Sequence, residues 1–224
     1  MDKKVILFDF DGTVMDGSRC VYKALERSCE EVGVPFPAME RLKGFIGPPI
    51  WDSMRVAGFT DDIIPEILTV YRRICGYEEM LKGWRFYDGI PEMLMGLRKR
   101  GYKLFIVSMR SMPSLNEVDG VVNFSTYFDG GFGRIDDDDT TNKAVLTERA
   151  LKSLNVSRDD CVIIGDSIYD EIGAGNAGID FVAVTYGFGY SDRSEVNGAV
   201  AVLDSVGELC EYVEKEFPRM DTDK

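Results

Sequence analysis

Four short, nearly unbroken apolar runs, each ending on a polar residue, constrain this chain more than any other feature. Val5–Phe8 meets Asp9, and Lys103–Val107 (KLFIV) runs into Ser108. Cys161–Ile164 (CVII) runs into Gly165 and Asp166, and Phe181–Val184 (FVAV) runs into Thr185 and the glycine-rich YGFGY. β-Branched and aromatic runs without polar alternation suit parallel strands covered on both faces. Helical patterns separate them. Glu92–Arg100 stops at Gly101, and Lys143–Leu154 sets Leu146, Ala150, Leu151 and Leu154 on one stripe. Ser205-Val206-Gly207-Glu208 reads as a capping box that opens a last helix through Phe217. Strands and helices that alternate in this way imply right-handed crossovers and a doubly wound α/β sheet.

Between Asp16 and about Gly83 the strand signal disappears. Ser18–Val32, Ile50–Ala57 and Asp61–Cys75 are helical in pattern, with Pro65 in the first turn of the last. This predicts a helical insertion after the first strand, at the carboxyl edge where α/β sheets bind ligands. The expected division is a core of residues 1–15 and 84–224 and a helical unit of residues 16–83.

Composition removes several functions. The 26 basic and 39 acidic residues leave a formal charge of −13, which repels nucleic-acid polymers and anionic membranes. Histidine is absent, so Ser-His-Asp, Cys-His and histidine general-base chemistry are excluded. Five scattered cysteines without a CxxC pair read as free thiols in a reducing compartment, so a cytoplasmic protein is expected. The apolar run near the amino terminus is too short for a signal peptide or a membrane span. Asp136–Asp139 reads as a solvated acidic loop and Pro218–Lys224 as a frayed tail.

The strand ends carry the candidate chemistry. Asp9 and Asp11, two apart on an extended segment, point to one side. With Asp166 they form a set of repelling carboxylates that a hard divalent cation such as Mg²⁺ would resolve. An ordinary turn at Asp11-Gly12 explains part of the pattern equally well. Asp170 closes a capping box with Ser167, or stands behind Asp166 and orients a metal-bound water. Ser108 starts a helix, or its hydroxyl and the following N–H, that of Met109, bind an anion. Lys143 and Arg110 are, as isolated residues, solvated surface.

In this order the residues resemble the haloacid dehalogenase superfamily of phosphohydrolases. Asp9-Phe10-Asp11-Gly12-Thr13 matches DxDGT, Ser108 the strand-end hydroxyl, Lys143 the lysine before a helix, and Gly165-Asp166-Ser167-Ile168-Tyr169-Asp170 matches GDxxxD. The insertion is similar to the small helical cap of the phosphoglycolate phosphatase group, as are FIGPPIWDSM, FYDGIPEMLMGLRKRGYKL and GNAGIDFVAVTYGFGYSDRSEV. Met109 replaces a frequent asparagine, and Lys143-Ala144 a usual lysine-proline.

The resemblance implies a Rossmann-like core with an inserted α-helical cap domain and a Mg²⁺-dependent phosphatase of a small phosphorylated metabolite, phosphoglycolate first. It implies that Asp9 is a nucleophile forming an aspartyl-phosphate and Asp11 an acid and base. Asp9, Asp11 (through its carbonyl) and Asp166 would be metal ligands with Asp170 behind them. Ser108, Met109 and Lys143 would hold phosphate. Arg19, Arg72, Arg110 and the Gly47-Pro48-Pro49 turn are candidates for substrate contact. A 5'-nucleotidase, a pyrophosphatase or a phosphosugar mutase fits the same scaffold. A response-regulator-like phosphoacceptor is disfavoured, because its acceptor aspartate follows a middle strand, which here ends in Ser108. The oligomeric state is left open.

Overall fold

The structure, a computed structural model, describes residues 3–136 and 141–219. The acidic run beyond Asp136 and the tail beyond Arg219 lie outside the described residues. The chain begins with β1 (Val5–Phe8) and a two-residue strand β2 (Met15–Asp16), then passes through α1 (Ser18–Val32), α2 (Ile50–Ala57), α3 (Ile64–Cys75) and α4 (Glu78–Leu81). It returns through β3 (Arg85–Phe86) to α5 (Ile90–Lys99), β4 (Lys103–Ser111), α6 (Met112–Val122) and β5 (Gly130–Arg134). It finishes with α7 (Lys143–Leu154), β6 (Cys161–Gly165), α8 (Ile168–Ala177), β7 (Asp180–Val184), β8 (Ala201–Leu203) and α9 (Val206–Glu216).

Six strands form one sheet in the order β5-β4-β1-β6-β7-β8, every neighbour parallel. Phe8 sits beside Ile106 on one flank and Ile164 on the other, so β1 is central and the strand ends line up. The apolar runs feed two cores, as unbroken strands require. Ile6, Phe8, Ile106 and Ile164 point to the face covered by α5 and α9 through Leu94, Leu97 and Leu209. Val5, Leu7, Val107 and Ile163 point to the opposite face, under Leu146 and Ala150 of α7 and Ala174 of α8. This is the expected doubly wound Rossmann-like core.

The helices between β2 and β3 share the first of these cores through Val21, Leu25, Ile67 and Leu68. They leave and rejoin the sheet at one place, because β2 and β3 pair antiparallel, Met15 with Phe86 and Asp16 with Arg85. Asp16 Oδ1 accepts from the Ser18 N–H (3.0 Å) and hydroxyl (2.6 Å), and Oδ2 accepts from Arg85 Nη2 at 3.0 Å. Trp84 fills this junction. A Cβ on Gly17 would lie 2.2 Å from its ring, and the ring stacks on Phe10 with centroids 5.8 Å apart.

The structure adds elements the patterns do not announce. Strand β4 continues past Val107 to Ser111, with a register irregularity between the two. Strand β5, sequence GGFGR, is an edge strand without an apolar run. Its Gly130 lies under the Phe105 ring, where a Cβ would come within 3.3 Å. The five thiols are free. Among the described residues no helix is long and apolar enough to cross a membrane.

Candidate active site

Asp9 prolongs β1, its N–H donating to the Ile164 carbonyl at 2.9 Å. The chain then turns at Gly12, whose φ of +83° suits glycine and whose N–H donates to the Met15 carbonyl at 3.0 Å. Asp166 follows β6 directly, and Asp170 lies in the first turn of α8. There Ser167 and Asp170 form a reciprocal capping box, with the Ser167 hydroxyl 2.6 Å and its N–H 3.2 Å from Asp170 Oδ2. Asp170 Oδ1 is left to face Lys143.

Lys143 is the first residue of α7, whose start is fixed by the Asn142 side chain accepting from the Val145 N–H at 3.0 Å. Its ammonium donates to Asp9 Oδ1 at 2.5 Å and lies 2.7 Å from Asp170 Oδ1, with only 3% of the side chain exposed. The lysine that statistics assign to the surface is thus a buried bridge between two carboxylates. Asp166 Oδ2 accepts from the N–H groups of Phe188 (2.7 Å) and Gly189 (3.1 Å).

Carboxylate oxygens of Asp9, Asp166 and Asp170 all lie within 4.8 Å of one another, and all three residues are buried. Burial, above all, pushes the Asp9 carboxyl well above its usual range; Lys143 pulls it back, while Asp170 and Asp166 push it further up. Burial and then the Asp170 charge push Asp166 up to about 7, against the pull of the Phe188 and Gly189 N–H groups and Lys143. Burial alone would lower the Lys143 ammonium, yet Asp170 and Asp9 hold it above its usual range. One ammonium facing three carboxylates leaves negative charge uncompensated, and an all-oxygen donor set of this kind fits a hard divalent cation. Glycine makes room for the Asp166 carboxylate: a Cβ on Gly12 or on Gly187 would lie 2.2 Å from Asp166 Oδ2.

The Asp11 carboxylate stands apart from this cluster. Its Oδ1 accepts from Arg110 Nη2 at 2.9 Å and its Oδ2 from Nε at 3.2 Å. Arg110 Nη1 donates to Ser114 Oγ at 2.8 Å, and the guanidinium carbon lies 4.4 Å from the Trp84 ring centroid. Ser108 and Met109 are both buried in the irregular stretch of β4, and the Ser108 hydroxyl accepts from the Arg110 N–H at 3.1 Å. Ser108 does not start α6; that N-cap is Ser111, three residues later.

Asp9, Asp11, Ser108, Met109 and Lys143 all line one chamber of about 310 Å³. Arg72 and Arg110 line it too, as do Gly47 and Pro48. Arg19 does not; it is exposed beside a separate depression with Asp16 and Lys23. Trp84, Tyr71 and Arg134 also line the chamber, unforeseen. Arg134 ends the glycine-rich β5, and nothing local marks it or Trp84 as facing the strand-end carboxylates.

The haloacid dehalogenase-like hydrolase family profile matches residues 6–184, most of the sheet with the helices between β2 and β3. The chain belongs to the haloacid dehalogenase-like hydrolases. It is 32% identical over 192 residues to a 5'-nucleotidase of Pseudomonas aeruginosa, covering 84% of this chain and 85% of the relative. It is 25% identical over 221 residues to a phosphoglycolate phosphatase of Colwellia psychrerythraea, covering 93% and 96%. The crystal structure of a predicted phosphatase from Clostridium acetobutylicum superposes with a TM-score of 0.83 at 28% identity, over 94% of this chain and 98% of that one. Phosphatases recur in both comparisons, and the chain is a phosphoric monoester hydrolase of the haloacid dehalogenase-like family.

Proposed function

We propose that the chain is a Mg²⁺-dependent phosphatase of small phosphomonoesters that works through an aspartyl-phosphate on Asp9. The observation that carries this reading is the convergence of buried Asp9, Asp166 and Asp170, with Lys143 bridging Asp9 to Asp170 and with Asp9, Asp11 and Lys143 lining one chamber. Asp9, Asp166 and the Asp11 carbonyl would hold the ion, with Asp170 beside them. Bound there, Mg²⁺ would offset the repulsion between an anionic nucleophile and an anionic substrate.

The remaining steps belong to the chain. The Asp9 carboxylate attacks phosphorus, and the P–O bond to the leaving group breaks as Asp11 gives that oxygen a proton. Asp11 then takes a proton from the water that opens the acyl phosphate. Lys143, the Ser108 hydroxyl and the Met109 N–H bind phosphoryl oxygens, where transition-state charge gathers. Residues 16–83 act as a cap over a core of residues 1–15 and 84–224, and their closure excludes bulk water. Free thiols and the net charge of −13 favour a cytoplasmic enzyme acting on a metabolite.

Phosphoglycolate is the first substrate to test, supported by the Colwellia relative and by arginines lining the chamber. A nucleoside monophosphate is the second, supported by the Pseudomonas relative and by Trp84 and Tyr71 on the chamber wall. Phosphate release over a metabolite panel with Mg²⁺ separates them. Turnover of phosphomonoesters that stops with EDTA and with Asp9→Asn is expected; full turnover by Asp9→Asn would remove the nucleophile assignment.

A further inference from the structure

Arg110 does more in this chamber than hold Asp11. The two residues are 99 positions apart and meet through two hydrogen bonds, at 2.9 and 3.2 Å. The guanidinium is also anchored independently of Asp11, by Ser114 Oγ and by the Trp84 ring. It keeps 19% of its side chain exposed and lines the chamber. A planar fork held in this way matches the paired oxygens of a carboxylate or phosphate.

Its position gives that fork a substrate to read. On the reading above, Asp11 hands its proton to the leaving oxygen, so whatever the substrate carries beyond that oxygen arrives beside the partner of Asp11. Lys143 is committed to Asp9 and Asp170, which leaves it on the phosphoryl side. A second negative group on the substrate would face Asp9 and Asp11, which line the chamber, in a protein of net charge −13 unless a cation stood on the leaving-group side. Arg110 stands there.

We propose that Arg110 is a specificity-determining residue whose guanidinium receives a second anionic group, a carboxylate or a phosphate, carried by the leaving group close to the ester oxygen. The proposal rests on the phosphomonoesterase reading. It makes the Asp11–Arg110 pair a resting arrangement that an anionic leaving group replaces and a neutral one does not.

Steady-state kinetics with Mg²⁺ on phosphoglycolate, ethylene glycol bisphosphate and 2-hydroxyethyl phosphate test it, the first two arms distinguishing carboxylate from phosphate. The wild-type enzyme should show a lower KM for at least one anion-bearing ester than for the neutral one. Arg110→Met should raise that KM roughly 10- to 100-fold, the scale of a lost charge-assisted pair, while the KM for 2-hydroxyethyl phosphate moves less than about 3-fold. Arg110→Lys should recover part of the difference.

Binding gives a second readout. In an Asp9→Asn, Trp51→Phe background, Trp84 is the remaining tryptophan. The favoured anion-bearing ester should change its fluorescence saturably, and Arg110→Met should abolish that change. An equal fall in kcat for all three esters with unchanged KM ratios would reduce Arg110 to a holder of Asp11 and overturn the proposal, as would a wild-type enzyme indifferent to the second anion. Release of phosphate from none of the esters would instead defeat the parent reading and this proposal with it.

Discussion

The ammonium of Lys143 lies 2.5 Å from Oδ1 of Asp9, and both side chains are buried. Lys143→Met removes the ammonium that pairs with two of the three buried carboxylates. Breaking a buried pair by deleting one partner costs about 3–5 kcal/mol. Chemical denaturation in EDTA should show a loss of that size, part of it recovered with Mg²⁺. Loss of a phosphoryl-binding cation should lower kcat by about 10²–10³-fold. A variant as stable and as active as the parent would strip the lysine of both the structural and the phosphoryl-binding role.

Asp9→Asn leaves Lys143 its contact with Asp170, so the fold should stand. Phosphate release from p-nitrophenyl phosphate should fall by ~10⁴-fold or more, as when a nucleophile is removed. Circular dichroism checks the fold and a phosphate assay the activity.

Asp166 is cradled by the Phe188 and Gly189 N–H groups, with Gly12 too close to admit a side chain. Mg²⁺ at a hundredfold excess over its Kd should stabilise the protein by about 2.7 kcal/mol, visible as a rise in Tm that EDTA reverses. Asp166→Asn should lose most of that rise. Gly12→Ala should lose it too and should unfold more easily, since alanine is strained at φ +83° and its methyl would strike Asp166. An undiminished Mg²⁺ response in both variants would place the ion elsewhere.

Asp16 lends itself to a pH experiment away from the carboxylate cluster. Burial works to raise its carboxyl, but hydrogen bonds from the Ser18 hydroxyl and N–H and from Arg85 outweigh it and hold the carboxyl below its usual value of 3.8. A depressed folded pKa contributes stability above the unfolded value and loses it as pH falls through the folded one. Asp16→Asn should therefore cost about 0.5–1 kcal/mol near pH 7, a modest figure because Arg85 is solvent-exposed. The cost should vanish in acid below that depressed value. Denaturation curves of both proteins from pH 7 down to pH 3 decide it; a constant gap would assign the effect to something other than charge.

The parts of the fold legible in the sequence are those where one local pattern decides the outcome. Val5–Phe8, Cys161–Ile164 and Phe181–Val184 are apolar because neighbours cover both faces, and all three are strands. Ile50–Ala57 and Lys143–Leu154 are helices over the spans their periodicity indicates. Strand β5 escaped because an edge strand under Phe105 needs small residues, and glycine carries no strand signal. The helix expected near Ser108 begins after Ser111, because pairing with β5 carries β4 further than its apolar run.

The candidate site divides in the same way. Asp9 and Asp166 stand out as polar ends of apolar strands, and Asp170 through its cap. The Lys143 bridge and the Arg110 clamp on Asp11 join residues 134 and 99 positions apart, and no local pattern encodes a side chain's distant partner. Arg19, a cation in a helix beside the first strand, faces away from the chamber. Trp84 reaches it only because Gly17 leaves room for the ring.

The clasp of Met15 to Phe86 and Asp16 to Arg85 brings two distant points of the chain to one spot. Everything between those points leaves and rejoins the sheet region at one clasp. Lengthening or replacing that stretch leaves strand order untouched, and the closure entropy grows only with the logarithm of its length. The helices between the two points can therefore vary in length and sequence while Asp9 and Asp166 stay where the sheet holds them.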